Sequence, residues 1–110
     1  LLDHKQYEAA EKYGRQCLEI CNTILPNHWL RPASQSLLGG ALAGQDKSSE
    51  AERFLLAGYE GLNKRRDAGS ANNLFEATQR IVTFYESQSR DDEAAKWRLE
   101  LDKLPMPKVR

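Results

Sequence analysis

A chain of 110 residues is the size of one ordinary domain, long enough to close a modest hydrophobic core. Its 16 basic side chains balance 16 acidic ones, so it lacks the basic excess that draws nucleic acid or an anionic membrane surface. No run approaches the roughly 20 consecutive apolar residues of a membrane span.

The first helix is predicted over 4–25, where Tyr7, Ala10, Tyr13, Gly14, Cys17, Leu18, Cys21, Ile24 and Leu25 recur at steps of three or four. Asp3 with Gln6 three residues on makes a capping-box start, and Pro26-Asn27 a stop. The second helix is expected over 32–43, opening on Pro32 and turning Leu37, Leu38, Ala41 and Leu42 inward. Gly44-Gln45-Asp46 forms a turn into the third helix, 48–63, with Ala51, Phe54, Leu55, Gly58, Tyr59 and Leu62 on one side. A polar linker carrying Lys64-Arg65-Arg66 leads to the fourth helix, 72–87, which buries Leu74, Phe75, Thr78, Ile81, Val82 and Tyr85. The fifth, 91–104, turns Ala94, Trp97, Leu101 and Leu104 inward, and Pro105 and Pro107 forbid its continuation into the tail 105–110. No segment alternates at the two-residue period of a half-buried strand, so the fold class is all-α, one domain over 1–104.

Three of these helices begin alike. Ala10, Ala51 and Ala94 are each followed two residues later by a basic residue and three later by an aromatic: Tyr13, Phe54 and Trp97. Ala10 to Ala51 is 41 residues and Ala51 to Ala94 is 43. Leu38 precedes Ala51 by 13, and Ile81 precedes Ala94 by the same 13. Two antiparallel helices joined by a tight turn approach closely only where a small side chain sits between them. Ala51 and Ala94 fit that place against Leu38/Leu42 and Ile81/Tyr85, the aromatic filling the gap one turn on. Each hairpin still leaves apolar surface for a neighbour to bury.

These hairpins resemble tetratricopeptide repeats, whose first helix carries a Leu-Gly pair, here Leu38-Gly39, and whose second carries a Tyr-x-x-Ala start. The family's period is 34 residues; the longer period here falls between hairpins and is similar to the long-repeat variant of kinesin light chains. The runs 38–62 and 80–101 also resemble C-terminal repeats of bacterial multidomain serine/threonine protein kinases. The resemblance implies a right-handed α-solenoid of about five helices and two and a half repeats, the first unit holding its second helix alone. A HEAT-like array has a similar period and is the structural alternative. In the family the first helices line a concave groove that takes a peptide or helix of a partner protein. Carried over, that groove consists of Ala33, Ser36, Leu37, Gly40, Ala43 and Gly44 on one helix and Glu76, Gln79, Arg80, Thr83, Glu86 and Ser87 on the next. Leu37 and Glu76 stand where carboxylate-clamping members carry Lys or Asn, which argues against that clamp.

The remaining residues suggest structure before chemistry. Cys17 and Cys21 lie on one helix face with poor geometry for a mutual disulfide; Cys17 takes the small buried position of the repeat, where a thiol is an inert hydrophobe. The low cysteine count points to a cytoplasmic protein, and the opening Leu1-Leu2-Asp3-His4-Lys5, with neither initiator Met nor signal pattern, reads as part of a longer chain. No phosphate loop, His-Glu-x-x-His, nucleophile elbow or kinase triplet is present, so no catalytic residue, metal site or cofactor is assigned. The expectation is a partner-binding module and not an enzyme. The alternative is a spacer or self-association domain of an enzyme such as a kinase, pairing through the incomplete first unit and its Tyr7, Tyr13 and Leu18.

Overall fold

The computed structural model describes residues 4–24, 26–65 and 71–105. They form five helices: α1 (His4–Ile24), α2 (Leu30–Ala43), α3 (Ser48–Arg65), α4 (Ala71–Ser87) and α5 (Asp91–Asp102). The all-α class is therefore what the chain adopts, with no strand among the described residues. The expected Asp3 cap, Leu25, the basic Arg66 and the tail beyond Pro105 lie outside the described residues.

Helix ends differ from expectation by a turn or less, for identifiable reasons. α2 begins at Leu30, so that Pro32 is its third residue. Leu30 and Arg31 N–H donate to His28 Nδ1 and O, each at 3.1 Å, proline has no N–H to satisfy, and the helical ladder opens with Ala33 N–H on Trp29 O at 3.1 Å. α5 stops at Asp102; Lys103 and Leu104 close a tighter turn on the carbonyls of Glu100 and Leu101 before Pro105.

The two hairpin turns are built alike. After α2 the chain passes through Asp46 at φ 61°, and after α4 through Ser89 at φ 57°. Those two residues are 43 apart, the repeat interval. Lys47 N–H returns to Leu42 O, as Arg90 N–H returns to Tyr85 O, both at 3.0 Å. The same two residues then accept the first bonds of the next helices, from Ala51 N–H at 2.9 Å and Ala94 N–H at 3.0 Å. The sequence-level interval is thus reproduced atom by atom in the backbone.

Each helix packs on its neighbour in the chain, and α2 also meets α4. One core cluster gathers Leu38, Leu42, Ala51, Leu55, Ile81, Phe84, Tyr85 and Ala94, so both seam alanines lie with the partners expected of them. A second joins Leu62, Leu74 and Ala77, against which Trp29 and Leu104 pack. The α2–α3 seam is antiparallel and close. A methyl built on Gly39 would stand 2.8 Å from Leu55 N, and one on Gly58 2.7 Å from Ser36 N.

Side-chain staples then tie unit to unit. Glu11 on α1 accepts from Gln45 Nε2 at 2.8 Å and Lys47 Nζ at 3.1 Å. Its equivalent 41 residues on, Glu52, accepts from Tyr85 Oη at 2.8 Å and Arg90 Nη1 at 3.3 Å.

Two expectations fail on α1. Tyr13 does not fill a seam; it is 61% exposed. The face that α1 turns to α2 centres on Gly14, whose built methyl meets Leu38 Cβ at 3.3 Å, and on Cys21. Tyr13 sits about 100° round the helix from Gly14 and looks away from α2. Phe54 and Trp97, its equivalents, are half-buried: both pack against the first core cluster, and Trp97 meets the Tyr59 ring of α3 edge-on at 4.7 Å between ring centres. By the orientation of α1 the buried thiol is Cys21, while Cys17 is only half-buried; both are free.

Candidate functional site

A concavity opens between α2 and α4. α2 offers small residues here, Gly40, Ala43 and Gly44, so the α4 side chains opposite are not met by bulk. The result is a cleft of about 730 Å³. Nine of the twelve residues expected from the sequence to form a groove line it: Leu37, Gly40, Ala43, Gly44, Glu76, Gln79, Arg80, Thr83 and Ser87. Phe84 and Ala41 form its apolar floor, and Tyr7 and Ala10 of α1 close one end.

Three of the groove residues have roles that sequence alone did not give. Gly44 lies against the Tyr7 ring; a methyl on it would fall 2.3 Å from the ring carbons, so the room left by the missing side chain is already filled. Gly40 runs beneath the stem of Arg80, whose Cδ would stand 3.3 Å from a built methyl. Ser36, expected to line the groove, is fully buried beneath it and accepts from Arg80 Nη1 at 2.9 Å. Of the other residues carried over, Ala33 packs on the second core cluster, and Glu86 pairs with Arg98 of α5.

Arg80 is the charged centre of the cleft. Burial lowers its pKa from the ordinary arginine value, and Glu76 opposes that shift from one turn away, with Oε2 3.7 Å from Nη2. A guanidinium held by a buried hydroxyl at one nitrogen is a pre-aimed fork, and its other donors suit a carbonyl or carboxylate. Glu76, Gln79 and Thr83 are exposed along the same α4 face, while Leu37 is half-buried on the α2 side. The cleft therefore combines apolar walls with a few hydrogen-bonding groups, the composition of a recognition groove.

The participation of α1 was missed. Its signal lay in Gly44, a glycine at a helix end with no positive φ to explain it, 37 residues beyond an aromatic. Among the described residues, no three His, Cys, Asp or Glu side chains gather as metal ligands do, and no helix is long and apolar enough to cross a membrane. Scans against family models, curated proteins and solved structures returned no match for this chain.

Proposed function

We propose that this chain is a tetratricopeptide-like right-handed solenoid segment that binds a peptide or helix of a partner protein in the α2–α4 cleft. Support for the solenoid comes from the equal turns at Asp46 and Ser89, the paired Glu11 and Glu52 staples and the sequential packing of the helices. The single observation that carries the binding reading is the convergence of nine groove residues on one open, largely apolar cleft with a half-buried arginine in it. In this reading Leu37, Phe84 and the Tyr7 ring take apolar side chains of the bound segment. Arg80 and Gln79 hold its carbonyl or carboxylate oxygens. The protein works in the cytoplasm as a binding module, without catalytic chemistry of its own.

Peptide display against the purified chain tests this. Peptides selected on the wild type are expected to lose at least about tenfold in affinity to Gly40→Glu and to Arg80→Glu, each variant first checked for an unchanged circular dichroism spectrum. Equal capture by wild type and both folded variants would rule the cleft out.

A further inference from the structure

Arg80 carries more charge into the cleft than its surroundings answer. Its side chain is 31% exposed, and among the described residues its hydrogen bond runs from Nη1 to Ser36 Oγ, a neutral and fully buried acceptor. The guanidinium keeps further N–H donors for water or a bound group. The nearest anion, Glu76, stands 3.7 Å from Nη2 with 53% of its side chain in water, where an ion pair contributes little. Burial accordingly outweighs Glu76 and draws the Arg80 pKa downwards. A cation so placed gains most from an acceptor that brings a full negative charge.

The head group also lies low and towards one end of the cleft. Its anchor, Ser36, is buried, and Gly40 one turn on leaves room for the stem. From Ser36 to Gly44, where the Tyr7 ring closes the cleft, α2 rises about 12 Å, the span of three to four residues of extended chain. Between these ends the lining is Gly40, Ala41, Ala43 and Phe84, and Glu76 is the one other charged residue on the walls. The cleft is thus cationic at one end and apolar towards the other.

We infer that the cleft selects an internal acidic side chain of an extended partner segment, seated on Arg80, with an apolar residue three or four positions away against Phe84 and the Tyr7 ring. Ser36 is the positioning residue that holds the guanidinium for it. The inference rests on the cleft being the binding site and adds to that reading the chemistry of the occupant. A side chain fits better than a free C-terminus. Gln79 and Thr83 are exposed along the α4 wall, so a main chain running past them lies above the guanidinium and reaches it by sending a side chain down. Glu76 is then a competitor for Arg80 and gives way to the incoming carboxylate.

Random peptides displayed on phage and selected on the intact chain, then synthesised with acetylated and amidated ends, supply the probes. The selected sequences are expected to share an aspartate or glutamate. Exchanging it for the matching amide should weaken binding at least about tenfold by calorimetry. Glu76→Gln should tighten the acidic peptide about two- to fivefold and leave its amide counterpart unchanged. Ser36→Ala should narrow the preference for acid over amide at least about threefold, whereas a packing defect would weaken both peptides alike. If thermal melts show Ser36→Ala to be unfolded, Arg80→Lys makes the same comparison at a partly exposed site, keeping the charge and losing the fork. Peptides that lose Gly40→Glu but tolerate the amide overturn this inference and leave the cleft reading standing, and so does binding that requires a free C-terminal carboxylate. An empty selection, or peptides that bind Gly40→Glu as well as wild type, defeats the cleft reading and this inference with it.

Discussion

Substituting Gly58 and Gly40 by alanine separates helix proximity from helix propensity as the reason for a glycine. Both lie inside helices, where alanine is favoured by about 1 kcal/mol. At Gly58 the added methyl would meet Ser36 N at 2.7 Å, Pro32 O at 2.8 Å and Ser36 Cβ at 2.9 Å, two of them backbone atoms of α2. Backbone cannot turn aside, so the α2–α3 seam must open. Overpacking of that kind costs about 1–3 kcal/mol, and contact at this distance with two backbone atoms belongs near the upper end. After the propensity gain, a net loss of about 1–2 kcal/mol remains. At Gly40 the nearest atom is Arg80 Cδ at 3.3 Å, on a flexible stem that can shift by the few tenths of an ångström required. Gly40→Ala should then keep most of its gain, up to about 1 kcal/mol. For a domain of this size 1 kcal/mol moves the melting temperature by about 4 °C, so Gly58→Ala should melt about 4–8 °C lower and Gly40→Ala up to about 4 °C higher. Thermal and urea unfolding followed by circular dichroism measure both. A Gly58→Ala protein as stable as the wild type, or more so, would refute the close seam and with it the reason given for that glycine.

Three other outcomes follow from particular contacts. Ala51→Leu should cost about 1–3 kcal/mol in urea unfolding because its site is fully buried between α2 and α3, whereas Ala10→Leu, at a half-buried site, should cost clearly less. Tyr85→Phe should cost about 1 kcal/mol by removing the 2.8 Å donor to Glu52; pairing it with Glu52→Gln in a double-mutant cycle should yield a non-zero coupling. Glu11 is held at a pKa of about 2, below its ordinary 4.5, chiefly by the hydrogen bond from Gln45 and then by Arg15 and Lys47. A depressed folded-state pKa adds stability above the unfolded value and loses it as the group protonates. The contribution should therefore be complete above about pH 4.5 and fall away towards pH 2, and Glu11→Gln should flatten that part of the stability–pH curve.

Much of this architecture can be read from spacing. The 13-residue step from Leu38 to Ala51 and from Ile81 to Ala94 measures one turn of fixed geometry, and both steps end with the alanine in one cluster with its predicted partners. What spacing cannot give is how many sides of a helix are covered. α4 is flanked by α3, α5 and α2, so Ala77 and Phe84 are buried although neither belongs to the single inward stripe drawn from period alone. α1 packs closely only against α2, so two residues of its apparent core stripe, Tyr13 and Ile24, are left in the open. Periodicity locates a face, and only the count of neighbours decides whether that face becomes interior. The groove residues came from the resemblance, which assigns the groove to the first helix of each hairpin, and the two helices it points to, α2 and α4, are adjacent. The Tyr7 ring over Gly44 was not legible, because nothing local to residue 44 names a partner 37 residues upstream.

The joint between units also sets the groove. Gln45 Nε2 reaches Glu11 Oε1 at 2.8 Å, the Tyr7 carbonyl at 3.4 Å and the Ala41 carbonyl at 3.1 Å, so one amide links the turn after α2 to both the staple and the groove's end wall. Arg15 extends the same joint from Glu11 to Glu50 on α3, at 2.9 and 3.1 Å. The Tyr7 ring is therefore held over Gly44 by a charge-assisted network as well as by packing. Protonating Glu11 weakens the bonds that orient Gln45, and with them the hold on Tyr7. Loss of the Glu11 contribution at low pH should accordingly loosen the α1 end of the cleft before the α2–α3 seam yields, since that seam rests on Gly39, Gly58 and buried leucines that do not titrate.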